Sequence, residues 1–211
     1  MAQPAHPPNP AIYHITHVDN LASICAAGKL WSDAERLRQG LVSKNIGYNH
    51  IKERRLKRAV PVAAKGKLGE YVPFYFCNRS IMLYVISRGH EDYNDGQRSV
   101  IHLVSSVESA VATGRPWAFT NRHAELGYAD YFDALERLDE VDWSVMPLRQ
   151  WGGDDEVKER RQAEFLVHER FPWTAVESIG VLGTQAKEQV ESILAQTKHR
   201  PPVTCQTSWY Y

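Results

Sequence analysis

The chain has 211 residues, which is enough for one sizeable hydrophobic core, and it has no internal repeat that would favour more than one domain. Lysine plus arginine and aspartate plus glutamate both number 25, so the net charge indicates no acidic or basic partner. Cys25, Cys77 and Cys205 are odd in number and widely spaced, which argues against a disulfide framework and against a zinc site.

The first ten residues, MAQPAHPPNP, lack the charged start and apolar middle of a signal peptide. No apolar run in the sequence reaches the length of a membrane-spanning helix. We therefore expect a cytoplasmic protein with no membrane partner, consisting of a disordered, proline-rich leader over residues 1–11 and one domain over residues 12–211.

A first strand is predicted over residues 12 to 16, where an aromatic ring, an imidazole and a hydroxyl occur close together. Asp19 is then expected to cap a short helix that Gly28 ends. Residues 32 to 43 are polar and contain glycine, which predicts a flexible cover.

The most basic segment runs from Lys52 to Lys67, with seven basic residues and one acidic residue, Glu53. We predict a basic helix over residues 45 to 60 and a loop over residues 63 to 69. Clustered cations release counterions when they bind a polyanion, so this segment is either a phosphate-binding surface or a solvated helix face.

The rest of the chain predicts many strands with interspersed helices and short connections, which indicates an α+β fold with a mixed β-sheet core. Strands are predicted over residues 71 to 76, 99 to 105, 117 to 120, 163 to 168, 176 to 182 and 203 to 209, and helices near 80 to 87, 106 to 112, 129 to 140 and 185 to 197. No glycine-rich GxGxxG or GxxxxGK[ST] sequence follows a strand, which argues against a Rossmann or P-loop nucleotide site.

One carboxylate begins an otherwise apolar predicted strand. Side chains alternate along a strand, so Glu164, Leu166 and His168 share one face of residues 163 to 168. A carboxylate on this face can lie at the edge of a cleft.

Seven short segments in this order resemble the DarT family, the DNA ADP-ribosyltransferase toxins of DarT/DarG toxin–antitoxin systems. They are YHIT at 13–16, HIKERR at 50–55, YVPFYF at 71–76, RSIMLY at 79–84, FTNRH at 119–123, QAEFLV at 162–167 and WYY at 209–211. The resemblance covers nearly the whole chain. It implies a single-domain ADP-ribosyltransferase-like fold, NAD as co-substrate without a metal, and transfer of ADP-ribose to a thymine base within a short motif of single-stranded DNA, which blocks replication.

The same resemblance implies the antitoxin DarG as a partner, with a macrodomain that removes the ADP-ribose. It also implies that Glu164 stabilises the positive charge that develops on the ribose of NAD when the bond to nicotinamide breaks. The implied NAD contacts are His14, Ile15, Thr16, Ser23, Trp31 and Arg55.

Two residues are candidates for handling the thymine proton. The family assigns the proton-acceptor role to the arginine at the position of Arg55, but a guanidinium is effectively always protonated and has no acceptor. His123 is chemically the better base, because a neutral imidazole accepts a proton near neutral pH.

The predicted DNA contacts combine cations, for phosphates, with side chains that suit unpaired bases. They are Lys52, Arg54, Lys57, Arg58, Tyr75 and Met82. Two alternative interpretations of these residues remain open. One is an ADP-ribosyltransferase that acts on protein or RNA, or an NAD glycohydrolase, and the other is a noncatalytic module that binds single-stranded nucleic acid.

Overall fold

The computed structural model describes residues 6–211, so residues 1–5 of the expected leader lie outside the described residues. The strands are β1 (Ala11–His17), β2 (Lys29–Trp31), β3 (Tyr71–Tyr75), β4 (Val100–Ser106), β5 (Trp117–His123), β6 (Tyr131–Phe132), β7 (Ala163–His168), β8 (Arg170–Pro172), β9 (Ser178–Val181) and β10 (Val203–Cys205). The α-helices are α1 (Leu21–Ala27), α2 (Asp33–Arg38), α3 (Asn49–Arg55), α4 (Ile81–Arg88), α5 (Val107–Ala112), α6 (Asp155–Arg160) and α7 (Thr184–Leu194).

A mixed sheet organises the molecule, as the sequence predicts. Its strand order is β10-β9-β4-β1-β3-β7-β5-β6, while β2 and β8 form a separate pair. Strands β9 and β10 are parallel, and the other neighbours in the large sheet are antiparallel. Every residue of β4 is buried, as are the first five residues of β7, because helices and loops cover both faces of the central strands.

The register of three central strands brings polar side chains together in the sheet. Tyr13 of β1 lies opposite Tyr75 of β3, and Tyr75 lies opposite Glu164 of β7. Residues that pair directly across strands point to the same face. The three side chains therefore form a row across one face of the sheet.

The expected cap of the first helix is wrong. A 3-10 turn, Val18–Asn20, precedes α1, and the ring nitrogen Nδ1 of His17 accepts a hydrogen bond from the backbone N–H of Asp19 at 3.1 Å. Asp19 therefore lies inside this turn and does not cap α1. The predicted end of the helix is confirmed, because Gly28 adopts a left-handed conformation with φ of 66°.

The flexible cover predicted over residues 32 to 43 contains a helix, α2. The hydroxyl of Ser32 accepts a hydrogen bond from the backbone N–H of Glu35 at 3.2 Å and caps this helix. The basic helix, in contrast, is shorter than predicted and ends at Arg55. Pro61 disfavours helical backbone in the residue before it, and Ala59 instead pairs with Lys67 in an isolated β-bridge.

Two further predicted elements, one of them at the end of the chain, are also wrong. The helix expected over residues 129 to 140 is replaced by β6 and a 3-10 helix, Leu135–Glu140. Pairing with β5 buries Phe132 opposite Phe119, which favours a strand over a helix here. The strand expected over residues 203 to 209 ends at Cys205 and is followed by a second 3-10 helix, Thr207–Trp209.

Among the described residues, no helix combines the length and the apolar composition that crossing a lipid bilayer requires.

Candidate active site

A buried ion pair joins α3 to β7. The guanidinium of Arg55 donates from Nη1 to Oε1 of Glu164 at 3.0 Å and from Nη2 to Oε2 at 2.9 Å. This forked arrangement fixes the orientation of both groups. The side chain of Glu164 is 2% exposed and that of Arg55 is 12% exposed. The neighbouring Arg54 instead pairs with Glu125 on the outer side of α3.

Glu164 is held as a carboxylate. Burial alone would raise its pKa, but the Arg55 guanidinium, the nearby His123 and the backbone N–H of Ala124 together lower the pKa below its usual value. The Ala124 N–H donates to Oε1 of Glu164 at 3.2 Å. The group is therefore charged near neutral pH, as a residue that stabilises a developing cation must be.

His123 is the last residue of β5, which extends three residues beyond its predicted end at residue 120. Its Nε2 lies 4.0 Å from Oε1 of Glu164. Burial lowers the pKa of His123, although the charge of Glu164 opposes this effect. The imidazole is therefore neutral near pH 7 and able to accept a proton.

Strand β1 supplies His14, Ile15 and Thr16 to one wall of a cavity that also contains Arg55 and Glu164. The ring Nδ1 of His14 lies 2.8 Å from the carbonyl oxygen of Pro73. A carbonyl only accepts hydrogen bonds, so Nδ1 carries a proton. Burial lowers the pKa of His14, so the ring is neutral and its Nε2 is an acceptor.

Ser23 and Trp31 line the same cavity from α1 and β2. The hydroxyl of Ser23 donates to the carbonyl of Asn20 at 2.8 Å. The ammonium of Lys29 lies 4.8 Å from the centre of a Trp31 ring, within the range of a cation–π interaction. All six residues predicted to contact NAD therefore line one cavity.

A charged network at the start of α2 was missed by the sequence analysis. Asp33 accepts from Arg36 at 2.8 Å and from Lys52 at 3.1 Å, and all three residues line the cavity. Burial would raise the pKa of Asp33, but the two cations lower it. Ser32 followed by Glu35 is the sequence pattern of a helix N-terminus and could have revealed α2, but not the direction of its side chains.

The segment between α2 and α3, residues 39–48, forms a cover over the cavity, which it lines with Leu41, Val42 and Lys44 among others. The side chain of Asn20 holds this segment through two hydrogen bonds with the backbone of Lys44. The Asn20 side chain accepts from the backbone N–H of Lys44 at 2.8 Å and donates to the Lys44 carbonyl at 2.9 Å. Val42, at the tip, is 94% exposed.

The cavity has a volume of about 360 Å³, within the range of roughly 300 to 1,000 Å³ that is typical of ligand pockets. Its lining contains five basic side chains and two acidic ones. The basic residues are Lys29, Arg36, Lys44, Lys52 and Arg55, and the acidic residues are Asp33 and Glu164. This excess of positive charge suits a ligand with phosphate groups.

The residues predicted to contact DNA fall into two groups. Lys52, Tyr75 and Met82 line the cavity. Arg54, Lys57 and Arg58 lie outside its lining, and within residues 6–211 neither Lys57 nor Arg58 forms an ion pair. The second group therefore forms a cationic surface outside the cavity, in a segment that also contains the exposed Lys65 and Lys67.

Comparison with known proteins gives a consistent result along the chain. The sequence model of the DarT family, described as ssDNA thymidine ADP-ribosyltransferase, matches residues 13–211. A DNA ADP-ribosyl transferase of Thermus aquaticus is 44% identical over 209 residues, which cover 98% of this chain and 91% of that protein.

Two solved structures share the fold. Thermus sp. 2.9 DarT in complex with ADP-ribosylated ssDNA superimposes with a TM-score of 0.94 at 40% identity, covering 100% of both chains. The same protein in complex with NAD+ gives a TM-score of 0.88 at 38% identity, covering 98% of this chain and 100% of that one. The predicted ADP-ribosyltransferase-like fold is confirmed, and the chain belongs to the DarT family of ssDNA thymidine ADP-ribosyltransferases.

Proposed function

We propose that this chain transfers ADP-ribose from NAD to a thymine base in single-stranded DNA, with Glu164 as the catalytic carboxylate. The observation that carries the proposal is the position of Glu164. Its charged side chain lies in the wall of a cationic cavity, between Arg55 and His123. A fixed carboxylate of this kind stabilises the cation that develops on the ribose as nicotinamide leaves.

We assign the NAD-binding role to the wall formed by His14, Ile15 and Thr16, with Ser23 and Trp31 farther along the cavity. The neutral His14 ring offers Nε2 as an acceptor for an amide or ribose N–H or O–H. Lys52 and Arg36 are better suited to the diphosphate of NAD than to DNA, because both face the cavity and share Asp33. The sequence predicted Lys52 as a DNA contact, and we instead assign it to NAD binding.

Arg55 and His123 divide the work on the thymine base. Burial opposes the charge of Arg55, but the neighbouring Glu164 raises the pKa of Arg55, so the guanidinium stays protonated. It polarises a thymine carbonyl and makes the ring N–H more acidic, while the neutral His123 accepts the proton. Nicotinamide leaves as a neutral group, so no second carboxylate is needed as an acid.

The acceptor strand reaches the site across the cationic surface of Arg54, Lys57 and Arg58. Single-stranded DNA suits this site because base chemistry requires an unstacked nucleotide, and a single strand avoids the cost of extrusion from a duplex. Tyr75 and Met82 line the cavity, and we assign the contacts with the base to these two side chains. Modified template bases would block replication, so we propose a toxin in the cytoplasm, controlled by a DarG antitoxin with a macrodomain.

Incubation with NAD and a panel of single-stranded and duplex oligonucleotides, followed by intact mass analysis, tests the proposal. We expect a gain of one ADP-ribose on thymine-containing single strands. Modification of a protein or RNA instead would indicate a different acceptor class. Release of nicotinamide without modification of any acceptor would indicate a glycohydrolase, and DNA binding without consumption of NAD would indicate a noncatalytic module.

A further inference from the structure

An irregularity in β5 brings this strand to Glu164. Phe119 lies opposite Phe165 of β7, but His123 lies opposite Ala163. Four residues of β5 therefore cover the distance that two residues of β7 cover. Extra residues of this kind form a β-bulge, which bends a strand and redirects the groups that follow it.

The hydroxyl of Thr120 holds the bulge together. The Thr120 side chain is fully buried. Its Oγ1 donates to the carbonyl oxygen of Arg122 at 2.7 Å and accepts from the backbone N–H of Glu164 at 3.1 Å. It thus bonds one backbone group of the bulge and one of the facing strand.

The redirected backbone meets the catalytic carboxylate. Beyond the bulge, the N–H of Ala124 donates to Oε1 of Glu164 at 3.2 Å, and Nε2 of His123 lies 4.0 Å from the same oxygen. The hydroxyl of Tyr131 donates to the Ala124 carbonyl and secures the far end of the bulge. Among the described residues, the cavity lining includes neither Thr120 nor Tyr131, so both act through other groups.

We propose that Thr120 is a positioning residue for ADP-ribosyl transfer: its hydroxyl sets the bulge that directs the Ala124 N–H and the His123 ring at Glu164. The inference rests on the proposed catalytic role of Glu164. One atom, Oγ1 of Thr120, fixes the Ala124 N–H and the His123 ring relative to Glu164. It bonds the backbone of Glu164 itself and the backbone of Arg122, two residues before Ala124. The ribose side and the thymine side of the site are thereby kept in one geometry.

Thr120→Val tests this directly, because it replaces the hydroxyl by a methyl group of similar size. We expect kcat for thymidine modification to fall on the order of 10- to 100-fold, the cost of a misplaced reacting geometry. KM for NAD should stay near that of the wild type, because the Thr120 hydroxyl bonds none of the residues that we assign to NAD binding. Thr120→Ser retains the hydroxyl and should restore most of kcat.

Thr113→Val is the matched control. The hydroxyl of wild-type Thr113 also bonds two backbone groups. It donates to the Ala110 carbonyl at 2.7 Å and accepts from the Arg115 N–H at 3.3 Å, but Thr113 lies outside the cavity lining. The control variant should lose stability without the selective loss of kcat.

Three results would overturn the inference. They are a wild-type kcat for folded Thr120→Val, an equal loss for Thr120→Ser, and an equal loss for the Thr113 control. If Thr120→Val does not fold, Tyr131→Phe decides, because it releases the other end of the bulge; a wild-type kcat there would also overturn the inference. Failure of the wild-type protein to modify thymidine would instead remove the proposed function.

Discussion

At the scale of single residues, Glu164 and Arg55 depend on each other. Removing one partner of a buried ion pair leaves the other charge uncompensated and costs about 3 to 5 kcal/mol of stability. If Glu164 is the catalytic carboxylate that we propose, Glu164→Ala combines a catalytic and a structural defect. An isosteric amide, which keeps the volume and can still accept from Arg55, separates the two effects better.

We expect Glu164→Gln to reduce ADP-ribosyl transfer at least about 100-fold, because a neutral amide stabilises a developing cation poorly. NAD binding, measured by calorimetry, should survive. Glu125→Gln is the control, since Glu125 pairs with the adjacent Arg54 outside the cavity. Near-normal transfer by a folded Glu164→Gln protein would exclude Glu164 from the mechanism.

His123→Ala should lower thymidine modification far more than nicotinamide release, because cation formation needs Glu164 and the NAD contacts but no base. Burial lowers the pKa of His123 below its ordinary value, which is about 6.5. A base works when unprotonated, so wild-type transfer should be level between about pH 7 and 8 and fall at more acidic pH. A flat profile down to about pH 5, with a fully active His123→Ala protein, would exclude a histidine base.

At the scale of elements, α3 and the residues that follow it present two different surfaces. Lys52 faces the cavity and pairs with Asp33. Lys57, two residues after the end of α3, is exposed outside the cavity. The sequence marks this segment as basic but does not separate its two surfaces.

This difference predicts opposite effects of one type of substitution. Lys52→Gln should raise KM for NAD and leave the salt dependence of DNA binding unchanged. Lys57→Gln should leave KM for NAD unchanged, weaken DNA binding for all sequences and reduce the salt slope by roughly one. Steady-state kinetics and binding titrations at several salt concentrations measure both. If the salt dependence of DNA binding falls equally in the two variants, Lys52 contacts DNA, as the sequence predicted.

The sequence predicted the elements whose apolar pattern is strong and missed those that depend on distant contacts. Residues 163 to 168 form β7 as predicted, and Glu164 lies in a cleft. Strand β6 could not be predicted, because it is only two residues long and has no alternating apolar pattern of its own; it forms by pairing with β5. The strand predicted over residues 117 to 120 stops short of His123, because the bulge that extends β5 depends on contacts with the distant strand β7.

The candidate site was only partly predictable. The residues that we propose to contact NAD, together with Glu164, came from a resemblance between short segments, and the cavity brings these residues together. The fork between Arg55 and Glu164 was not predictable, because it joins residues 109 positions apart. Asp33 and Arg36 were missed because a polar segment with glycine does not reveal which side chains face inward.

At the scale of the whole molecule, the two acidic residues of the cavity link stability to pH. The pKa values of Asp33 and Glu164 are both lowered in the folded protein. Each group therefore stabilises the fold at pH values above its unfolded pKa, about 3.9 for Asp and 4.3 for Glu. This contribution is lost as the pH falls through the folded values.

We expect the free energy of unfolding, measured with urea, to decrease as the pH is lowered from about 5 to 3. Glu164→Gln removes one of the two groups and should make this decrease less steep. Glu125→Gln provides the comparison, since the Glu125 carboxylate pairs with Arg54 outside the cavity. Parallel curves for wild type and Glu164→Gln would contradict the linkage.

The strand order of the large sheet has a consequence for behaviour at high concentration. Its two edge strands, β6 and β10, are two and three residues long. Free backbone N–H and C=O groups along a sheet edge are the template for strand addition between molecules, and short edges offer few of them. The longer, buried strands β4 and β7 have neighbours on both sides, so the large sheet presents little edge for β-type aggregation.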